Sequence, residues 1–409
     1  MLEGDIRQVH QRVDQLLLEQ GEFLPLEFLL LEGRLNYSDY EAWRNGELVT
    51  LDSALFGNAE HIQQQLQQAA AYLQQRGWQA QTIHYMAWHH DLAQTLSKPL
   101  RFSENNDLDG YFHKRYDKPR DRPQMDLFTD APATSLVNGI IQELIDRNSP
   151  EARRLLEGLY DTAPDHIRLG ELDRLVGAAE SLDSPVNDIA ADLRILQEHL
   201  VPLAQDLLGK GSRNLLIPLW RRLSSALEAQ PYQITQAELH LSYTAGQAQD
   251  WAVVLQAVES EHDWKSDPIL LVRHAQACEL LHHPADALQS WFWLLWQYPE
   301  QCDALESGAN QQLRQHWIAF LELDIELAVQ SFPAWLLIRK PGLTSTMPDP
   351  ALDTASPGSY RVVYRLQRRP LTENKRDSGD IALRAQLKQQ DPVLFQHFLK
   401  NIAEFNTPC

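Results

Sequence analysis

From Ser135 to about Arg339 apolar residues recur at helical spacing, and nothing longer than a short join interrupts them. Ile140, Leu144, Ile189, Leu193, Leu196 and Leu200 mark amphipathic faces, while Gly170, Pro185, Gly209-Lys210-Gly211, Pro231 and Gly246 punctuate them. A helix with one apolar stripe must bury it against another element, and short joins make the next helix the nearest candidate. The expected fold class is therefore mainly α, with an α-solenoid or helical-repeat body over 135–340.

A chain of 409 residues with 44% hydrophobic content has material for more than that body. Single cores seldom grow beyond about 250–300 residues, so two or three domains are expected. Residues 1–97 read as a small N-terminal helical domain. Ile6, Val9, Val13, Leu16 and Leu17 follow a 3.6-residue period, Pro25 opens PLEFLLLEG and Gly33 ends it. In YSDYEAWRNG, Ser38 with Glu41 reads as a capping box and Gly46 as the stop. A longer helix runs from about Asp52 to Gln75 and ends at Gly77, and GWQAQTIHYM reads as either strand or helix. Four helices and a strand also resemble a winged-helix domain, although the acidic charge favours a plain small bundle.

Residues 98–134 lose periodicity and collect Pro99, Pro119, Pro123, Pro132, Gly110 and Asn105-Asn106, which predicts a flexible linker. Residues 341–409 change style again. TSTMPDPALDTASPGS reads as loop, and SYRVVYRLQRRP alternates, with Val362, Tyr364 and Leu366 on one side and Arg361, Arg365 and Arg369 on the other. That pattern predicts a minor C-terminal β element, followed by a last helix from about Asp380 to Phe405.

The stretch Pro268–Glu300 resembles one tetratricopeptide repeat, with Ala275 at the small position of a first helix and Ala287, Trp291 and Pro299 at the small, aromatic and proline positions of a second. The preceding piece resembles another more loosely, with Gly246 between helices and Ala252 one repeat upstream of Ala287. The aromatic expected near Cys278 is missing, so the repeats are degenerate. Trp291, Trp293 and Trp296 cannot share one face at 100° per residue, which predicts a helix buried all round.

The formal charge of −20 argues against nucleic acid as the main partner, because binding it depends on Lys and Arg displacing counterions from phosphate. Contact would be weak or confined to a local basic patch. Lys114, Arg115, Lys118, Arg120 and Arg122 form one, interleaved with Tyr111, Phe112 and Tyr116 as single-strand binders require. A protein partner is the better default. No long apolar run or basic leader is present, and Cys278, Cys302 and Cys409 are too scattered for a disulfide framework. These features imply no membrane and a cytoplasmic setting.

Within the linker lies Gln124-Met125-Asp126-Leu127-Phe128. It resembles the peptide by which bacterial replication and repair proteins attach to the DNA polymerase sliding clamp: Gln, a variable residue, Ser or Asp, Leu, then Phe or Leu. No position departs from that pattern. Leu127 and Phe128 supply apolar area worth about 1.5–3 kcal/mol each on burial, and the Gln124 amide can both donate and accept at a pocket rim. The alternative is that Leu127 and Phe128 pin the linker to the chain's own helices.

No phosphate loop, nucleophile elbow, H-E-x-x-H helix or C-x-x-C pair is present. His89-His90-Asp91 and His282-His283 do not converge as metal ligands, since helical neighbours point about 100° apart. Glu322, Asp324 and Glu326 spread around a helix. The expectation is a non-catalytic adaptor with no cofactor or metal, presenting a clamp-binding peptide beside a helical body. A tetratricopeptide-like scaffold unrelated to the clamp is the second reading, and an enzyme of unrecognised type the third.

Overall fold

A computed structural model describes residues 3–88, 99–117, 131–324, 326–350, 356–368 and 378–405. The chain divides into two compact units, Met1–Ala229 with Gln247–Gln249, and Gln230–Gly246 with Asp250–Cys409. The division falls inside the helical stretch 135–340. Residues 1–117 and the helices up to Leu227 belong to one unit.

The first unit opens with α1 (Glu3–Gln20), β1 (Glu22–Phe23), α2 (Pro25–Leu31), α3 (Tyr37–Arg44), α4 (Ala59–Gln75) and β2 (Gln79–Thr82). Pro25 stands at the start of α2, and Gly33 follows its end at φ 64°, a conformation that costs a glycine nothing. The cap of α3 differs from the expected capping box. The helix begins at Tyr37 after Asn36, and Glu41 is buried instead of reaching back to a backbone N–H. Asn58 caps α4 through its side-chain oxygen, bonded to the N–H groups of Glu60 and His61.

Residues 99–117 are not linker. They form α5 (Asn106–Phe112), capped by Asn105, and β3 (Lys114–Asp117), which is the central strand of an antiparallel sheet ordered β1-β3-β2. Tyr116 pairs with Phe23 on one side and Ala80 on the other. The cause is aromatic: Phe102, Phe112 and Tyr116 are fully buried, and Phe102 stacks on Phe112 with centroids 3.2 Å apart. Of the breakers, Pro99 bridges to Met86, Asn105 caps α5, and Asn106 and Gly110 lie within that helix. GWQAQTIHYM contributes a strand. The N-terminal portion is therefore a helical layer with a small sheet. Its order, α1-β1-α2-α3-α4-β2, puts a strand between the first two helices and so differs from four helices followed by a strand.

The same unit continues through α6 (Ala131–Ile145), α7 (Ser149–Thr162), α8 (Leu169–Glu180), α9 (Ile189–Ile195), α10 (Val201–Leu208) and α11 (Ser212–Leu227). Between α9 and α10, Leu196–Leu200 widens into a π turn, closed by Val201 N–H donating to the Leu196 carbonyl. Pro202 follows and has no N–H to continue the normal ladder, which favours the wider register just before it.

The second unit contains α12 (Leu241–Gln247), α13 (Trp251–Glu259), α14 (Pro268–Leu280), α15 (Pro284–Gln297), α16 (Gln311–Leu321), α17 (Phe332–Arg339), α18 (Gly358–Gln367), α19 (Ser378–Gln390) and α20 (Pro392–Phe405). Trp291, Trp293 and Trp296 of α15 are all buried. The segment expected as a β element is instead α18. Tyr360, Val363 and Tyr364 form one buried helix face, and Val362 is buried on the far side, so the helix is covered on more than one side. Arg361 and Arg365 lie one turn apart, and Arg369 lies outside the described residues. Asp391 and Pro392 split the expected last helix into α19 and α20.

One turn geometry recurs. Arg147 between α6 and α7, Gln249 between α12 and α13 and His282 between α14 and α15 have φ of 58°, 59° and 58°. In each case the next residue donates to a carbonyl five positions back: Asn148 to Glu143, Asp250 to Ala245 and His283 to Cys278, at 2.8, 2.9 and 2.8 Å. This is the Schellman closure of a helix C-terminus, with a side-chain-bearing residue where glycine is usual. Across it α6 packs closely on α7 and α14 on α15.

Candidate functional site

A groove in the first unit is built from α8, α9, the π turn and α11, with a cavity volume of about 570 Å³. Leu196, Leu219 and Leu223 are buried at its floor, and Ile195 stands 46% exposed at its edge. Asp188 caps α9 by accepting from Ala191 N–H at 3.0 Å, and the π turn then brings Leu196 and Leu200 to the same opening. Arg222 is held beside it by Asp192 at 3.3 Å and by the Ser184 carbonyl at 2.8 Å, while Arg174 and His199 remain exposed. The result is an apolar trough with one anchored arginine, Arg222, and the exposed Arg174 and His199 along its rim.

Beside this groove the unit holds a buried ionic network. Glu41 of α3 is paired with both Arg147 and Arg221, Glu27 of α2 with Arg213 at 2.9 Å, and Arg44 with Asp146 at 2.9 Å. Arg44 and Arg147 lie 4.6 and 4.1 Å from the centroid of Trp88. Tyr37 donates to Asn214 at 2.8 Å. These contacts fasten the N-terminal helices to α6 and α11. Sequence reasoning missed them, because a Glu within an apolar run was the only visible signal.

In the second unit Ser290 Oγ lies 2.8 Å from His274 Nδ1, and His274 Nε2 lies 3.4 Å from Glu259. The order resembles a hydrolytic triad, but Ser290 is fully buried and His274 stacks on Trp264 at 4.2 Å. A serine sealed in the core cannot meet a substrate, so the arrangement ties α13, α14 and α15 together. Burial lowers the His274 pKa, and it pushes the neighbouring Cys278 thiol up to about 12.

Of the residues singled out in the sequence, Gln124, Met125, Asp126, Leu127 and Phe128 lie outside the described residues, as do Lys118, Arg120 and Arg122. Lys114 and Arg115 are on β3. Lys114 stands 5.1 Å from the Tyr111 ring, and Arg115 is paired with Asp117 at 2.9 Å and Glu22 at 3.1 Å. With Phe112 and Tyr116 buried, this part of the basic stretch has no two rings free to stack bases. His89, His90 and Asp91 are outside the described residues, and His282 and His283 form a helix turn. Among the described residues no group of three or more His, Cys, Asp or Glu is arranged to hold a metal, and no helix is long and apolar enough to cross a membrane.

Comparison with protein-family models, curated proteins and solved structures finds no match to this chain.

Proposed function

We propose that the chain is a bacterial adaptor that recruits a partner protein to the DNA sliding clamp. The observation that carries the clamp end is the pentapeptide Gln124–Phe128, which meets every position of the clamp-binding pattern. It lies in 118–130, between the end of β3 at Asp117 and the start of α6 at Ala131. In this reading Leu127 and Phe128 enter an apolar pocket and Gln124 sets the register. Ordering the segment on docking limits affinity to the order of micromolar, which suits repeated engagement and gains from a clamp with several equivalent sites.

The partner-binding end is assigned to the helical body. The turns at Gln249 and His282 are 33 positions apart, close to the ~34-residue period of tetratricopeptide arrays. That spacing supports a degenerate two-repeat reading of α12–α15. The groove of α8, α9 and α11 offers a second surface for an amphipathic segment. A synthetic peptide covering Pro119–Thr134 tests the clamp end in isolation. It should bind a purified bacterial clamp with an affinity near that of the full chain and compete with it. A peptide that fails to compete would assign the chain to a scaffold unrelated to the clamp.

A further inference from the structure

The second unit contains a small cavity of about 250 Å³ between α16, α17 and α20. Its wall is apolar: Trp335 and Ile338 are buried, and Leu323 is half-buried beside them. Its mouth is cationic. Arg339 ends α17 and lies 5.7 Å from the Trp335 ring, and Lys400 approaches from α20. Asp324 is the single acidic residue of the lining.

A cation at a helix C-terminus is ordinarily explained by the helix dipole, and Arg339 fits that account. Lys400 does not, because it lies before the last turn of its own helix α20 and forms no ion pair among the described residues. Nor does the dipole account for His397. This side chain also lines the cavity, and its Nε2 is shielded from solvent with no hydrogen-bond partner among the described residues. That nitrogen is closed off from the open space of the cavity, so the groups that face a ligand are the two cations. The surroundings agree. His397 is held below its usual pKa by burial and by Lys400 and Arg339, with Asp391 opposing, and the nearby His316 by burial and by Lys340 and Arg339. The potential is locally positive in a chain of formal charge −20.

We propose that this cavity binds a small organic anion: a compact aromatic or apolar body against Trp335 and Ile338, bearing a phosphate or carboxylate between Lys400 and Arg339, with His397 beside them. The site is independent of the clamp reading, since none of its residues belongs to 118–130. The apolar wall gives contact area, and the charged group accepts from the two cations. Asn401 is already committed, donating through Nδ2 to the Ile338 carbonyl, and fixes α20 against α17.

The test titrates phenyl phosphate, benzoate, inorganic phosphate and benzyl alcohol into the full chain, following the His397 C2 proton by NMR. Phenyl phosphate or benzoate should saturate, and which one binds tighter identifies the headgroup. Lys400→Gln should weaken that ligand about tenfold or more, the loss of one charge-assisted hydrogen bond, and Lys400→Arg should restore it. The His397 pKa should rise with the ligand bound. Lys400 is exposed, so folding is not at issue. The proposal is overturned if neither anion saturates by about 10 mM, a ceiling near the weakest specific affinities, if Lys400→Gln binds as well as the native chain, or if inorganic phosphate or benzyl alcohol binds as tightly as the aromatic anion.

Discussion

Arg147 donates from Nε to the backbone carbonyl of Asn214 at 2.8 Å, and that oxygen is the one Pro218 leaves without its helical partner. A proline inside α11 removes the bond that residue 218 would give to residue 214. An arginine from the turn between α6 and α7 supplies the donor instead. The same guanidinium pairs with Glu41 and stacks on Trp88, so one side chain satisfies a helix defect and anchors the N-terminal helices.

Arg147→Ala should therefore destabilise the chain strongly. It strands the buried Glu41 with half of its pairing and leaves the Asn214 carbonyl unbonded, and breaking a buried pair from one side costs roughly 3–5 kcal/mol. Urea unfolding should show the loss as a lower midpoint. Arg154→Ala, which removes an exposed pair with Glu151 one turn away, should leave the midpoint unchanged.

Stability should fall on mild acidification. His240 and His274 are both held below their usual pKa, first by burial, so each is neutral when folded and takes a proton more readily when unfolded. Below an unfolded value of about 6.5 the unfolded chain binds more protons, and stability drops with pH until the depressed folded pKa is reached. Above it these groups contribute no slope. Melting temperatures recorded from pH 7.5 to 5.5 should decrease, and His274→Gln should flatten the curve. A melting temperature that rises over this range would contradict the assignment.

Gln249→Gly should stabilise. Gln249 has φ 59°, where a side chain costs about 1–2 kcal/mol that glycine avoids. Glycine's greater freedom in the unfolded chain offsets part of this, leaving a gain of under about 1 kcal/mol. A rise in the denaturant midpoint would confirm it.

Cys278 should resist alkylation in the native chain. Its thiol is buried and pushed up to about 12, so almost no thiolate exists at pH 8. Peptide mass analysis after iodoacetamide treatment should find Cys278 modified only when denaturant is present.

How far the sequence could be read follows from these cases. Helix ends at Gly33, Gly46 and Gly77 were legible because positive φ, here 64°, 80° and 81°, favours one residue type. The all-round burial of α15 was legible because three tryptophans exclude a single wet face. Residues 358–367 were misread because Val362, Tyr364 and Leu366 follow a period of two, while Tyr360, Val363 and Tyr364 in the same run carry the helical spacing. Residues 99–117 were misread because breaker residues dominate the pattern while Phe102, Phe112 and Tyr116 decide the packing. Glu27 and Glu41 could not be told from surface acids, since their arginine partners lie more than a hundred positions away. The groove and the cationic cavity are likewise assembled from distant helices and left no local motif.

The adaptor reading turns on Leu127 and Phe128, and isothermal titration of a purified bacterial sliding clamp into the full chain tests it most directly. Binding on the order of micromolar should appear, and Leu127→Ala/Phe128→Ala should weaken it at least about a hundredfold, the loss of two buried apolar side chains. No heat of binding, or equal binding by the native and doubly substituted chains, would contradict the account.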